Sequence, residues 1–179
     1  MLNAKPSAFD RFSVLFLLTL TFAGFSARSN ASDGSLSLAP ARAAAVDEAV
    51  RTLMKNVAHD VTHDGPLAWC KYLETGPTFF MAVNGQMAFA NGAAAVEGTQ
   101  KFALTIKHIE LAWGEDLRVD PLTPQLAVVA APWHEVQIDT AGHRVEEDGF
   151  FTALAEYREG RWQFRDAHWS APMPSLPHN

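Results

Sequence analysis

An apolar stripe at helical spacing predicts the first structural element. The stripe consists of Val46, Val50, Leu53, Val57 and Val61. Because successive members are three or four residues apart, they share one face of a helix that runs from about Ala41 to Thr62. Pro66 can begin a second, short helix, which Gly76-Pro77 ends. Two helices therefore precede the first predicted strand.

A hairpin signal comes next. The stretch TFFMAVNGQMAFANG holds two short apolar runs joined by Asn84-Gly85, a pair that tolerates the positive φ angles of a type I′ turn. Asn91 can then cap a third helix, from about Gly92 to Thr105. We expect a β-hairpin followed directly by a helix.

From residue 108 onward the hydrophobic period changes to two and predicts four long strands. The first runs from Ile109 to Val119 with a bend at Gly114, the second is LAVVAAPWHEVQI with a local break at Pro132, and the last two are Phe150 to Arg158 and Trp162 to Trp169. Helices gathered before a curved antiparallel sheet make an α+β fold class, in which the helices cover the concave face of the sheet.

The N-terminal segment has the layout of a secretory signal peptide. Lys5 and Arg11 precede an apolar run, and the small residues Ser29 and Ala31 follow it. The run is shorter than the roughly 20 apolar residues of a membrane span, so we expect no stable membrane anchor after cleavage. The predicted domains are 1-31 signal peptide, 32-42 linker, 43-172 folded domain and 173-179 tail. We therefore expect an exported protein, either periplasmic or secreted.

Composition narrows the classes of partner. The chain of 179 residues has a formal net charge of −6, which argues against nucleic acid as a partner. Cys70 is the only cysteine, so it cannot form an intramolecular disulfide, and beside Trp69 we expect it to be a small buried side chain. Neither a P-loop nor a GxGxxG motif after a strand is present, and the histidine spacings fix no metal geometry. We expect no cofactor and no metal.

The stretch RWQFRDAHWSAP, residues 161–172, contains the best candidate chemistry. If the strand alternates regularly, Trp162, Phe164, Asp166 and His168 share one face. Asp166 could orient His168 and favour its charged form, which would give an acid-base pair for proton transfer next to a carbonyl. The alternative is that His168 hydrogen-bonds the backbone at the end of the sheet.

The longer stretch YREGRWQFRDAHWSAP, with its glycine turn, tryptophan strand and closing His-x-Ser-x-Pro, resembles the nuclear transport factor 2-like superfamily. That superfamily includes SnoaL-like polyketide cyclases, ketosteroid isomerases and the association domain of calcium/calmodulin-dependent kinase. The resemblance covers about Ala43 to Pro172 and implies a cone-shaped fold with a cavity between the helices and the concave sheet. The aromatic residues that could line such a cavity, or else fill an ordinary core, are Trp69, Phe80, Trp113, Trp133, Phe151, Tyr157 and Trp162.

The resemblance leaves the activity open, because members of one fold perform different reactions or none. Where ketosteroid isomerases place a basic aspartate, GPTFFMAVN has no acid, and Ala153 stands where kinase association domains carry an arginine. We prefer a protein that binds a small apolar molecule. The alternatives are a cofactor-free isomerase, cyclase or lyase using His168 and Asp166, and a dimeric scaffold. A homodimer is expected, because this superfamily often pairs its sheets, and it is compatible with the first two hypotheses. Whether the protein is an enzyme stays open.

Overall fold

The computed structural model describes residues 38–172. The predicted signal peptide, the linker up to residue 37 and the tail from 173 to 179 lie outside this range. The helices are α1 (Pro40–Asp64), a short 3₁₀ helix (Pro66–Lys71) and α2 (Gly92–Ala103). The strands are β1 (Phe80–Val83), β2 (Gln86–Phe89), β3 (Ile106–Trp113), β4 (Arg118–Thr123), β5 (Leu126–Asp139), β6 (Arg144–Arg158) and β7 (Arg161–Ser170). None of the helices in residues 38–172 is both long and apolar enough to cross a membrane.

The long helix α1 confirms the predicted apolar stripe. All five stripe residues are buried, and Met54 is buried beside them. Pro40 stands in the first turn, where its missing N–H costs no helical hydrogen bond. The helix ends at Gly65, whose φ of 81° is available to glycine at little cost. The stripe packs α1 against the curved sheet and covers one part of its concave face.

The seven strands form one curved, unclosed sheet in the order β2-β1-β7-β6-β5-β3, with β4 paired to β5. All pairs are antiparallel except β1 and β7, which run parallel. We call the face that packs toward the helices the inner face and the opposite one the outer face. On β6 the inner face carries Phe151, Ala153 and Ala155, all buried, and the outer face carries Phe150, Thr152 and Leu154.

The hairpin and its following helix form as predicted. Asn84 and Gly85 both have positive φ, 49° and 79°, as a type I′ turn requires. The Asn91 side chain accepts a hydrogen bond from the backbone N–H of Ala94 at 2.8 Å, which caps α2. Because β1 pairs with β7, the hairpin extends the sheet and brings α2 over its end.

Two details of the predicted strands are wrong. The strand expected from Ile109 to Val119 is divided into β3 and β4, which pair with successive parts of the same edge of β5. Pro132 does not break β5, which is continuous from Leu126 to Asp139. In an antiparallel strand the N–H and C=O of one residue point to the same neighbour. The Pro132 carbonyl accepts a hydrogen bond from the Gly114 N–H at 2.9 Å, so Pro132 faces the gap between β3 and β4. The N–H that proline lacks would point into this gap, and no ladder hydrogen bond is lost there.

Strand β7 carries one extra residue relative to β6. Ala155 is opposite Phe164 while Leu154 is opposite Asp166, so Arg165 has no partner in the ladder. Such a β-bulge reverses the alternation of side chains beyond it. Phe164 therefore lies on the inner face, but Asp166 and His168 lie on the outer face. The prediction that Trp162, Phe164, Asp166 and His168 share one face is wrong for this reason.

Candidate functional site

A cavity of about 420 Å³ lies between the 3₁₀ helix, α2, the hairpin and one end of the inner face. Volumes in this range are typical of small-molecule sites. The residues that line it are Trp69, Leu73, Met81, Val83, Asn84, Phe89, Gly98, Thr99, Phe102, Trp133, Glu135, Gln137, Glu147, Trp169, Ser170 and Ala171. Most of the wall is therefore apolar.

Three tryptophan rings meet in this wall. The Trp169 ring meets Trp69 at a centroid distance of 5.5 Å and Trp133 at 5.3 Å, both edge to face. Phe151, which is fully buried, packs behind Trp169 at 4.7 Å. Pairs in these geometries are favourable beyond the area they bury. The wall is therefore built by contacts among aromatic rings of the chain itself.

The 3₁₀ helix that carries Trp69 is fastened to α1 by an acidic side chain. The Tyr72 hydroxyl donates to the Asp60 carboxylate at 2.7 Å, and Lys71 donates to the same carboxylate at 3.1 Å. The hydrogen bond that Asp60 accepts from Tyr72, together with its hydrogen bonds with the His59 ring and from Lys71, lowers the pKa of Asp60 to about 2. Asp60 is therefore ionised at neutral pH, and its contacts fix the position of the helix that presents Trp69.

Two glycines allow aromatic rings to approach the backbone at the cavity. A Cβ on Gly149 would lie 2.5 Å from Cζ2 of Trp133, and a Cβ on Gly98 would overlap the Phe89 ring. Neither clash can be relieved by a small rotation of a flexible side chain. The Trp133 indole N–H has no hydrogen-bond partner among the residues that the structure describes. Close packing against Gly149 holds Trp133 in place although its donor is unsatisfied.

Carboxyl groups occupy one side of the cavity. Glu135 lies two residues beyond Trp133 on β5, so both side chains point to the inner face. Its neighbour across the ladder is Glu147 on β6, which is exposed at the rim. Burial raises the pKa of Glu135, and the charge of Glu147 raises it further. The Gln137 amide donates a hydrogen bond to Glu135, which acts in the opposite direction and holds the carboxyl group in place.

His168 and Asp166 lie on the outer face and are absent from the cavity wall. On β1 their neighbours are Ala82 and Phe80, which also point outward. Asp166 accepts a hydrogen bond from the Leu154 backbone N–H at 3.2 Å, and burial raises the pKa of its carboxyl group. Neither side chain can reach a molecule inside the cavity, because the sheet separates them from it.

Comparison with known proteins identifies the fold. No family model and no curated protein sequence matches this sequence. A nuclear transport factor 2-like superfamily protein from Salmonella enterica superposes with a TM-score of 0.59 at 11% identity, over 76% of this chain and 95% of that one. This chain has the nuclear transport factor 2-like fold. The predicted fold class is thereby confirmed, and the predicted resemblance is confirmed at the level of the fold.

Other solved structures with this fold include proteins named as enzymes. One from Novosphingobium aromaticivorans, assigned as a scytalone dehydratase, gives a TM-score of 0.61 at 11% identity, over 74% of this chain and 87% of that one. A hexachlorocyclohexane dehydrochlorinase, LinA type 2, gives a TM-score of 0.57 at 10% identity, over 70% and 84%. Identities this low establish the fold alone, and the activity must be argued from the site.

Only part of the predicted aromatic set lines the cavity of this nuclear transport factor 2-like fold. Trp69 and Trp133 do. Trp113 and Phe151 lie behind Trp169, and the Trp113 indole N–H donates to the Met54 carbonyl at 2.7 Å. The others lie elsewhere: Phe80 is exposed on the outer face, and Tyr157 packs against Trp162 at the far end of the sheet.

The residues that sequence reasoning missed include the ring at the centre of the wall and its carboxyl group. Regular alternation of β7 would put Trp169 on the face opposite Trp162, but the bulge brings both to the inner face. Glu135 is not among the site residues predicted from the sequence. A signal for Glu135 was present, because it follows Trp133 at the spacing of one strand face. No comparable signal in the sequence marks the extra residue Arg165.

The remaining reactive side chains are less favourable as sites. His134 hydrogen-bonds Asp148 at 2.9 Å on the outer face, away from the cavity. Among residues 38–172 no group of three or more histidine, cysteine or acidic side chains could hold a metal ion. Burial raises the pKa of the Cys70 thiol, which disfavours the thiolate that a nucleophile requires. The chemistry of this fold therefore centres on the cavity.

Proposed function

We propose that the protein binds a small, largely apolar, ring-containing molecule in the cavity. The observation that carries this proposal is the wall formed by Trp69, Trp133 and Trp169, which contact one another around Trp169. A preformed apolar pocket with few polar groups suits a flat ligand, because little ordering is needed on binding. The dehydratase and dehydrochlorinase of the same fold are consistent with small-molecule binding.

Titration with the neutral fluorescent dye N-phenylnaphthylamine tests this proposal. We expect saturable binding at one site per chain. Replacing Trp169 with alanine should weaken binding by about ten-fold or more, because a central aromatic contact is lost. Trp162→Ala is the matched control, since Trp162 is on the same strand but at the far end. Unchanged dye binding by Trp169→Ala, or equal weakening by both variants at unchanged thermal stability, would contradict binding at the tryptophan wall.

A second candidate function is acid-base catalysis without a cofactor, as an isomerase, cyclase or lyase. The observation that favours it is the carboxyl group of Glu135, which faces the apolar cavity with a raised pKa and is oriented by Gln137. A carboxyl group tuned toward neutral pH can accept a proton from one substrate carbon and return it to another. The pair His168 and Asp166 is not part of this proposal, because both lie on the outer face.

Glu135→Gln separates catalysis from binding once native mass spectrometry has identified a co-purified ligand or its class. If Glu135 transfers a proton, this variant should lose turnover by at least about a hundred-fold, a larger factor than the change in its dissociation constant. His168→Ala should retain turnover. Full activity of Glu135→Gln would reject the catalytic role and leave the binding function standing.

We also propose homodimerisation and export, which were expected from the sequence. Exposed apolar residues on the outer face, among them Phe80, Val128 and Phe150, support an interface between two sheets. Light scattering at micromolar concentration tests this, and a monomer would contradict it. For export, the mass of the protein recovered outside the cytoplasm should correspond to a chain that begins at Ser32.

A further inference from the structure

The cavity carries charge of one sign only. Glu135 and Glu147 are the charged residues in its wall, and no lysine, arginine or histidine lines it within residues 38–172. Glu135 is directly opposite Glu147 in the β5–β6 ladder, so the two carboxyl groups act on the same side of the cavity. A negatively charged ligand would meet like charge here without any cation to offset it, which disfavours acids and phosphates.

The tryptophan part of the wall also favours a positively charged ligand. Tryptophan attracts cations more strongly than other aromatic side chains do, because its ring face is negative. Trp133 is two residues from Glu135 on the same strand face, and Trp169 meets Trp133 at 5.3 Å. A positively charged group beside these rings would also lie near the carboxyl groups. The aromatic and acidic parts of the site thus favour the same ligand charge.

Resting on the proposed binding function, we infer that the ligand is an organic cation, a ring-containing amine or quaternary ammonium compound. Its apolar part packs on the tryptophan wall, and its positive group faces Glu135 and Glu147. The ligand then compensates the charge that Glu135 carries in a partly buried position, where an unpaired carboxylate is costly. Low-dielectric walls strengthen this attraction relative to that of the same charges in water.

Two probes that differ only in charge test the inference. The cation is meta-hydroxyphenyltrimethylammonium and its neutral isostere is meta-tert-butylphenol, each measured by displacement of N-phenylnaphthylamine at neutral pH and low ionic strength. We expect the cation to bind about ten-fold more tightly, or better, because cation–π and carboxylate attraction act only on it. Glu135→Gln should remove most of this preference, and Glu147→Gln a smaller part, since Glu147 is exposed at the rim.

Glu146→Gln is the matched control. It removes one charge next to Glu147 in sequence, but Glu146 pairs with Arg144 and His134 on the outer face. The preference for the cation should therefore be unchanged in this variant. Equal or tighter binding of the phenol, or dye binding without displacement by the cation, overturns the inference and leaves the proposed function intact. If the dye and both probes fail to bind, the proposed function fails as well.

Discussion

The two faces of the sheet use the same strands for different purposes. On β6, Phe151 is fully buried beneath the tryptophan wall while its neighbour Phe150 is 45% exposed on the outer face. On β7, Trp169 contacts the cavity while its neighbour His168 is outside. Adjacent residues in a strand differ only in the side they face. A shift of one residue along a strand therefore decides whether a side chain can take part in the site.

The largest expected effect comes from truncating the two neighbouring phenylalanines. Phe151→Ala should lower the free energy of unfolding by about 3–5 kcal/mol, because it leaves a cavity among Trp113, Phe164 and Trp169. Phe150→Ala should cost about 1 kcal/mol or less in a monomer, since much of its ring is already in contact with water. Urea denaturation of both variants gives the comparison.

The Phe150 variant also reports on the outer face. If two subunits pair through this face, the loss of stability caused by Phe150→Ala should grow with protein concentration, because the Phe150 ring then becomes buried on association. A concentration-independent loss as large as that of Phe151→Ala would contradict the distinction between the faces. The pair of variants therefore tests the assignment of each face by a single measurement.

Glycine at position 149 offers a sharper test of the inner face. Gly149→Ala should destabilise the fold by about 1–3 kcal/mol, because its Cβ would overlap Trp133 and the Ser170 carbonyl. Dye binding should weaken as well, since Trp133 must move. Thr152→Ala, on the outer face of the same strand, should leave dye binding unchanged. Thermal denaturation and dye titration of both proteins provide the check, and unaltered binding by Gly149→Ala would remove Trp133 from the site.

Local patterns made much of the fold predictable. The stripe from Val46 to Val61 and the turn at Asn84-Gly85 depend on residues close in sequence, so their physics is visible in the chain itself. The division of the predicted strand at Gly114 depends instead on β5, because β3 and β4 pair with the same edge of it. Pairing with a strand that is distant in sequence does not change the hydrophobic period, so the sequence pattern does not predict it.

The candidate site was harder to predict for a related reason. Odd and even positions of a strand indicate its two faces only while the pairing with the next strand is regular. The extra residue Arg165 interrupts that regularity in β7. At that point the edge of β7 that faces away from β6 also changes partner. The Phe164 backbone hydrogen-bonds to Tyr72 and Glu74, whereas Asp166 is opposite Phe80 of β1. Trp69 and Trp133 line the cavity, and the position of neither depends on the alternation of β7.

The smallest expected effect concerns the two carboxyl groups with raised pKa, one on each face. Burial raises the pKa of Glu135 above its ordinary 4.5 and that of Asp166 above 3.8. The folded chain therefore binds these protons more tightly than the unfolded chain does. The contribution of these two groups to stability should rise as the pH falls from neutral through the raised values toward the ordinary ones, and it is lost in the reverse direction. The lowered pKa of Asp60 acts in the opposite direction, so the contribution is read from the difference between each variant and the parent. Urea midpoints between neutral pH and about pH 4 measure this slope.

Glu135→Gln and Asp166→Asn should each flatten that slope, and each variant should be at least as stable as the parent at neutral pH. A slope that neither variant changes would refute the raised values. The consequence differs between the faces. At Glu135 the stabilised variant should also lose the inferred preference for a cationic ligand, and that joint result would mean that a destabilising charge serves binding there. At Asp166 no ligand is within reach, and a gain that shrinks with protein concentration would instead assign this carboxyl group to an interface between two sheets.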